Sequence, residues 1–189
     1  LHISGEEVEF LLHGGTVDVS GGNGFEVGAS GTVYIIQNSQ GKVMTHLIID
    51  NARVNGGTSA ATVVQVPSGQ LGLELDELEV LGSAVVWLDG GNFTVWGMDG
   101  DGSSEIVVIN GTILVLPPTF ELHATTLTVE DAELDGVQNF IVDQNSTLRL
   151  TEVGKAGITS LAGSYFFDAL NVSSNGVVEV TVSSSALAE

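Results

Sequence analysis

The stretch Leu73-Glu-Leu-Asp-Glu-Leu-Glu-Val-Leu-Gly82 decides how the chain is read. Apolar residues alternate with acids on either side of Asp76-Glu77, and the run stops at a glycine. Period-two alternation puts the apolar side chains on one side of an extended backbone and the acids on the other, which is the mark of a half-buried strand. The same ten-residue pattern, apolar-x-apolar-x-x-small/apolar-x-apolar-x-Gly, returns at residues 47–56 and 127–136, and more loosely at 93–102 and 148–157.

Working outward, the starts at Leu47, Leu73, Phe93, Leu127 and Leu148 lie 26, 20, 34 and 21 residues apart. The gap of 34 reads as one period plus an insertion, because Ile113-Leu-Val115 begins 20 residues after Phe93 and is followed by Pro117-Pro118. A second element, an apolar run ending in a turn, lies between copies: Val63-Val-Gln-Val-Pro-Ser-Gly69, Val85-Val-Trp-Leu-Asp-Gly-Gly91, Ile106-Val-Val-Ile-Asn-Gly111 and Phe140-Ile-Val-Asp-Gln-Asn-Ser146. No stretch keeps a 3.6-residue period, and residues 6–12 are the best candidate for one helical turn.

An all-β chain is expected. A period of about 20–22 residues is too short for a propeller blade and fits one coil of a parallel β-helix, or β-solenoid. About eight or nine such coils, stacked at ~4.8 Å, would make a rod about 40 Å long. Residues 16–182 would hold the coils of a single domain, residues 1–15 an irregular or capping start, and residues 183–189 a tail. The alternative is a β-sandwich with hairpin connections, which sets turn signals at similar spacing. The ordered alternation of two elements favours the solenoid.

On this repeat the chain resembles right-handed parallel β-helix proteins of the pectin-lyase-like type, and among them extracellular surface and adhesin-type solenoids more than the enzymes. The resemblance is one of pattern from Thr16 to Val182, without a diagnostic motif. It implies a fold and leaves function open.

Charge narrows the partners. Four cations, Lys42, Arg53, Arg149 and Lys155, stand against 24 acids for a net charge of -20. Four scattered cations cannot form a phosphate-binding patch, so nucleic acid is not an expected partner. Anionic membranes and acidic glycans are repelled unless calcium bridges the surfaces. There is no cysteine, hence no disulfide or thiolate metal site. No apolar stretch is long enough to span a bilayer, so direct membrane insertion is not expected. The start Leu1-His2-Ile3-Ser4-Gly5 lacks the basic and apolar regions of a signal peptide, and the missing initial Met suggests a mature chain or a fragment.

Several residues are candidates for chemistry. Asn92-Phe-Thr, Asn110-Gly-Thr, Asn145-Ser-Thr and Asn171-Val-Ser match the N-glycosylation acceptor pattern. Asn110 and Asn145 are placed at one turn of the repeat, and the competing reading is that Asn simply serves as a turn former or a stacked ladder. Asp99, Asp101, Ser103 and Glu105 alternate on a Gly-rich segment, a spacing that lets backbone curl round a calcium ion; an acidic corner is the alternative. Asp50, Asp76 and Glu130 share a repeat position and would stack as a carboxylate column, whereas Glu130, Asp131, Glu133 and Asp135 read as a solvated face. Trp96 falls at that repeat position too, which turns it outward as a contact for a sugar ring. His2, His13, His46 and His123 show no metal-ligand spacing and read as isolated.

No nucleophile elbow, phosphate loop or basic catalytic group stands out, so an enzyme is not the expectation, although paired carboxylates of a glycosidase cannot be separated from other acids by sequence. The expected function is that of an extracellular, cell-surface structural protein. It would be a glycosylated building block of a filament, appendage, sheath or adhesin that self-associates through solenoid ends. The alternative is a carbohydrate-binding or polysaccharide-degrading β-helix protein acting on a neutral glycan.

Overall fold

Short alternating runs separated by Gly, Asn, Asp and Ser turns have apolar faces too small to be buried within one run, so they find partners one coil away. A computed structural model describes residues 2–5, 31–39, 42–51, 61–152 and 167–182. The chain opens with β1 (His2–Gly5), β2 (Gly31–Ser39), β3 (Lys42–Asp50) and β4 (Thr62–Val64). The first complete coil is β5 (Gly72–Leu75), β6 (Glu77–Leu81) and β7 (Val85–Asp89), and the second is β8 (Asn92–Val95), β9 (Met98–Gly100) and β10 (Ser104–Ile109). The third is β11 (Ile113–Val115), β12 (Thr119–Leu122) and β13 (Thr125–Glu130), and the fourth is β14 (Glu133–Asp135), β15 (Asn139–Val142) and β16 (Thr147–Glu152). β17 (Ala169–Val172) and β18 (Val177–Val182) extend the stack.

Each coil contributes one strand to each of three faces. The faces are an eight-stranded sheet (β1-β2-β3-β6-β9-β12-β15-β17), a six-stranded sheet (β18-β16-β13-β10-β7-β4) and a four-stranded sheet (β14-β11-β8-β5). Leu73, Phe93, Leu114 and Leu134 occupy one inward column, as do Leu78, Met98, Leu122 and Val142. Val86, Ile106, Leu127 and Leu148 form a third column, fully buried. Phe120 and Phe140 stack with ring centroids 5.5 Å apart, and Phe167 meets Phe140 edge-on at 5.7 Å. The core is thus a set of ladders of like residues.

The corners repeat as faithfully as the strands. At the exit of β7, β10 and β13, Gly90, Asn110 and Asp131 all adopt left-handed backbone, with φ of 72°, 57° and 49°. At the other end of that sheet, inside the turn, Ala84, Ser104, Thr125 and Ser146 are buried in register. Their hydroxyls are satisfied: Thr125 Oγ1 donates to the Ser104 carbonyl at 3.2 Å, Ser146 Oγ to the Leu122 carbonyl at 2.8 Å, and Ser104 Oγ to Asp101 Oδ1 at 2.8 Å.

The architecture is an all-β parallel solenoid of about four turns, with no helix among the described residues. The pairing settles the choice against a sandwich: every described strand pair is parallel except β2 with β3. Four turns replace the eight or nine expected from dividing length by period. Chain is spent elsewhere, since β2 and β3 form an antiparallel hairpin of nine paired positions, and Leu47 reaches its partner Leu78 only after 31 residues.

The repeat phase also differs from the ten-residue alignment. Residues 73–82 run from β5 into β6, whereas residues 127–136 run from β13 into β14, across a different corner. The 34-residue gap therefore contains no simple insertion: Phe93 pairs Leu114, and Leu127 pairs Ile106. Asp50, Asp76 and Glu130 form no column, because Asp50 pairs Leu81 on the eight-stranded sheet, Asp76 sits at the corner between β5 and β6, and Glu130 pairs Thr151 on the six-stranded sheet.

Candidate functional site

Alternation sends every second residue of the eight-stranded sheet outward, and on this face many of those residues are acids or histidines. His46 pairs Glu77, and Glu79 pairs Asp99. Two residues on from Glu121, His123 follows Leu122, while Asp143 follows Val142, the partner of Leu122 one coil later. Stacking thereby brings Glu121, His123 and Asp143 together: one ligand atom from each lies within 4.8 Å of the others. His123 Nδ1 is 3.3 Å from Asp143 Oδ2, and Nε2 is 3.8 Å from Glu121 Oε2. Backbone donation from Gln144 leads the causes that hold the Asp143 carboxyl below the usual range, and the His123 contact adds to it.

Gly97 leaves room between these rungs. A Cβ built there would stand 2.5 Å from Glu77 Oε2, so the Glu77 carboxylate lies over the glycine. Burial pushes the Glu77 carboxyl above its ordinary value against the pull of His46, with Asp99 and Glu79 repelling it further. His46 Nε2, 3.5 Å from Glu79 Oε2, is buried without a hydrogen-bond partner.

Beside this face, the corner leading from β8 to β9 carries Trp96, 51% exposed. Its Nε1 donates to Glu74 Oε1 at 3.0 Å, which fixes the indole plane. Val43, Thr45, Glu74, Asp76 and Trp96 line an open groove of about 540 Å³. Asp76 anchors its floor: its Oδ2 accepts from the Thr45 amide at 2.7 Å, and its own amide donates to the Thr45 carbonyl at 2.9 Å.

Of the four residues singled out for calcium, Asp101 and Ser103 meet, whereas Asp99 and Glu105 belong to different sheets. Asp99 faces outward on the eight-stranded sheet with Oδ1 accepting from the Gly100 amide. Glu105 belongs to the six-stranded sheet, where its Oε1 accepts from Thr128 at 2.8 Å and Arg149 at 3.1 Å. Asp101 turns inward at the corner: Oδ1 accepts from the Ser103 amide and from the Ser103 and Ser104 hydroxyls, and Oδ2 accepts from the Gly82 amide. Burial alone would raise its pKa, but these four donors win and lower it to about 2.

Asn92, Asn110, Asn145 and Asn171 are all exposed. Asn110 and Asn145 are at different corners, the former following β10 and the latter preceding β16. Asn110 Nδ2 donates to Asp89 Oδ1 at 2.7 Å, and the hydroxyl of its sequon partner Thr112 is buried, accepting from the Gly90 amide and donating to the Ile109 carbonyl, with the Leu88 carbonyl farther off at 3.2 Å. His13, Arg53, Lys155, the side chains of His2 and Lys42, and the candidate turn at residues 6–12 lie outside the described residues.

Reading the histidines for spacing along the chain missed the cluster at His123, because one of its members comes from the next coil. The available signal was the period itself: Asp143 stands 20 residues after His123, one coil on, and Glu121 two residues before it on the same side of the strand. No protein-family model, curated protein or solved structure matches the chain.

Proposed function

We propose that the protein is an extracellular structural β-solenoid, a rod-like building block of a cell-surface filament, appendage, sheath or adhesin that joins other β-coils through the open end of its stack. One observation carries this reading. Phe140, Val142 and Leu150 are buried, but their partners one coil on, Leu170, Val172 and Val180, are 39, 48 and 70% exposed although they hold the same inward positions. Among the described residues no strand pairs beyond β17 and β18, and an exposed core beside such edges suits docking of further strands. Likeness to pectin-lyase-like and adhesin-type solenoids, glycans on Asn92, Asn110, Asn145 and Asn171, and a non-catalytic role belong to the same proposal. The net charge of -20 favours assembly by ends over lateral packing.

Light scattering and negative-stain electron microscopy across a concentration series, with and without chelator, test it. Assembly that grows with concentration and is lost in Val180→Lys supports the reading; short monomeric rods at every concentration overturn it.

A second reading rests on Trp96. An indole held in place by Glu74 at the lip of a groove suits stacking on a neutral sugar ring, with binding or cleavage of a polysaccharide as the function. A glycan array and a reducing-sugar assay with wild type and Trp96→Ala decide it.

A further inference from the structure

We propose that Glu121, His123 and Asp143 form a binding site for a divalent first-row transition ion such as Zn²⁺, pinning the third coil to the fourth. Two carboxylate oxygens and an imidazole nitrogen within 4.8 Å of one another are three ligands from two adjacent coils. Donors around a single Zn²⁺, with bonds of about 2.0–2.1 Å, stand about 3.3 Å apart; His123 turns Nδ1 to Asp143 and Nε2 to Glu121, so the ring must rotate to bring one nitrogen to both carboxylates as the side chains close. They have the freedom to do so, since Glu121 and His123 are nearly half exposed and Asp143 is about a third exposed.

The imidazole sets the class of ion. An all-oxygen site selects calcium or magnesium, whereas a nitrogen ligand moves preference toward zinc, cobalt and nickel. Three protein ligands leave further positions for water. The surroundings favour a cation: Glu77, Glu79 and Asp99 belong to the same face, one or two coils away, on a chain of net charge -20. The site is distinct from the open end of the stack and from the Trp96 groove, and it does not require either to function.

The experiment is titration of the full chain with Zn²⁺, and separately with Ca²⁺, by isothermal calorimetry. ¹⁵N spectra of the imidazoles and thermal melts accompany it. The expected result is one Zn²⁺ per chain, a ring-nitrogen shift at His123, a raised melting temperature, and no comparable effect of Ca²⁺. His123→Ala and Asp143→Asn should each weaken Zn²⁺ binding about tenfold or more, while His46→Ala leaves it unchanged. Asp143→Asn keeps the shape of its side chain and serves if His123→Ala fails to fold. Absence of saturable Zn²⁺ binding, equal response to Ca²⁺, or unchanged affinity in the ligand variants would overturn the site and leave His123 as an ion-pair partner of its two carboxylates.

Discussion

Arg149 Nε donates to Glu179 Oε2 at 2.6 Å, binding β16 to the last described strand, β18. The same guanidinium donates from Nη1 to Glu105 Oε1 at 3.1 Å, back across β13 to β10. One cation thus spans four adjacent strands, and Glu179 leads the causes that raise its pKa. Because the group is partly exposed, its contribution is screened by solvent. Arg149→Met should lower stability by about 1 kcal/mol, and by less in high salt. Urea denaturation at two ionic strengths measures both effects.

Asp101 makes stability depend on acid. Its folded pKa of about 2 lies below the ordinary 3.8, so the ionised form is favoured by folding. That contribution is complete above the unfolded value and disappears as pH falls through the folded one. Asp101→Asn should therefore be less stable than wild type at pH 7, and the difference should shrink between about pH 4 and pH 2. Denaturation midpoints of both proteins across that range check the sign.

Glu77 behaves in the opposite sense. Its folded pKa is raised, so ionisation opposes folding and protonation relieves it. Glu77→Gln should raise the melting temperature at pH 7 in the presence of chelator. The gain should vanish below the ordinary carboxyl value of 4.5, where the wild-type side chain is also neutral. Thermal melts at pH 7 and pH 4 separate this from a simple loss of volume.

Two glycines should respond differently to a methyl group. At Gly136, φ is 81° and an added Cβ would stand 2.5 Å from the Leu116 carbonyl oxygen, so backbone must move. At Gly97 the obstacle is the flexible end of Glu77. Gly136→Ala should cost about 2 kcal/mol or more, and Gly97→Ala less than about 1 kcal/mol. Urea unfolding of the pair measures the contrast.

What could be read in the sequence was what repeats locally. Alternation in Leu73-Glu-Leu-Asp-Glu-Leu-Glu-Val-Leu-Gly82 depends on neighbours in the chain, so strands and a period near 21 follow from it. The phase of the coil does not, because the same pattern suits a turn between β5 and β6 and another between β13 and β14. Register arises from packing between coils, and Phe93 opposite Leu114 has no local signature. The same limit hid the meeting of His123 with Asp143 and made Asp99 and Glu105 look like neighbours. Asp99 belongs to β9 and Glu105 to β10, on either side of the corner at Gly102.

The parallel stack has a direction of its own, and the antiparallel hairpin adds to the difference between its ends. Along most of the stack each coil is the previous one displaced by a strand spacing, so a newcomer can continue the series wherever the edge still points the same way. At β17 and β18 it does. On the eight-stranded face, β2 runs against β3 and interrupts that translation. Among the described strands, the two ends of the eight-stranded sheet, β1 and β17, are therefore unlike. Two copies meeting through their β17–β18 tips would satisfy each other around a twofold axis and stop, while a chain of many copies must mate unlike tips and inherit a polarity. Under the proposed assembly through stack ends, the number of copies in the smallest stable assembly, two or many, distinguishes the two geometries.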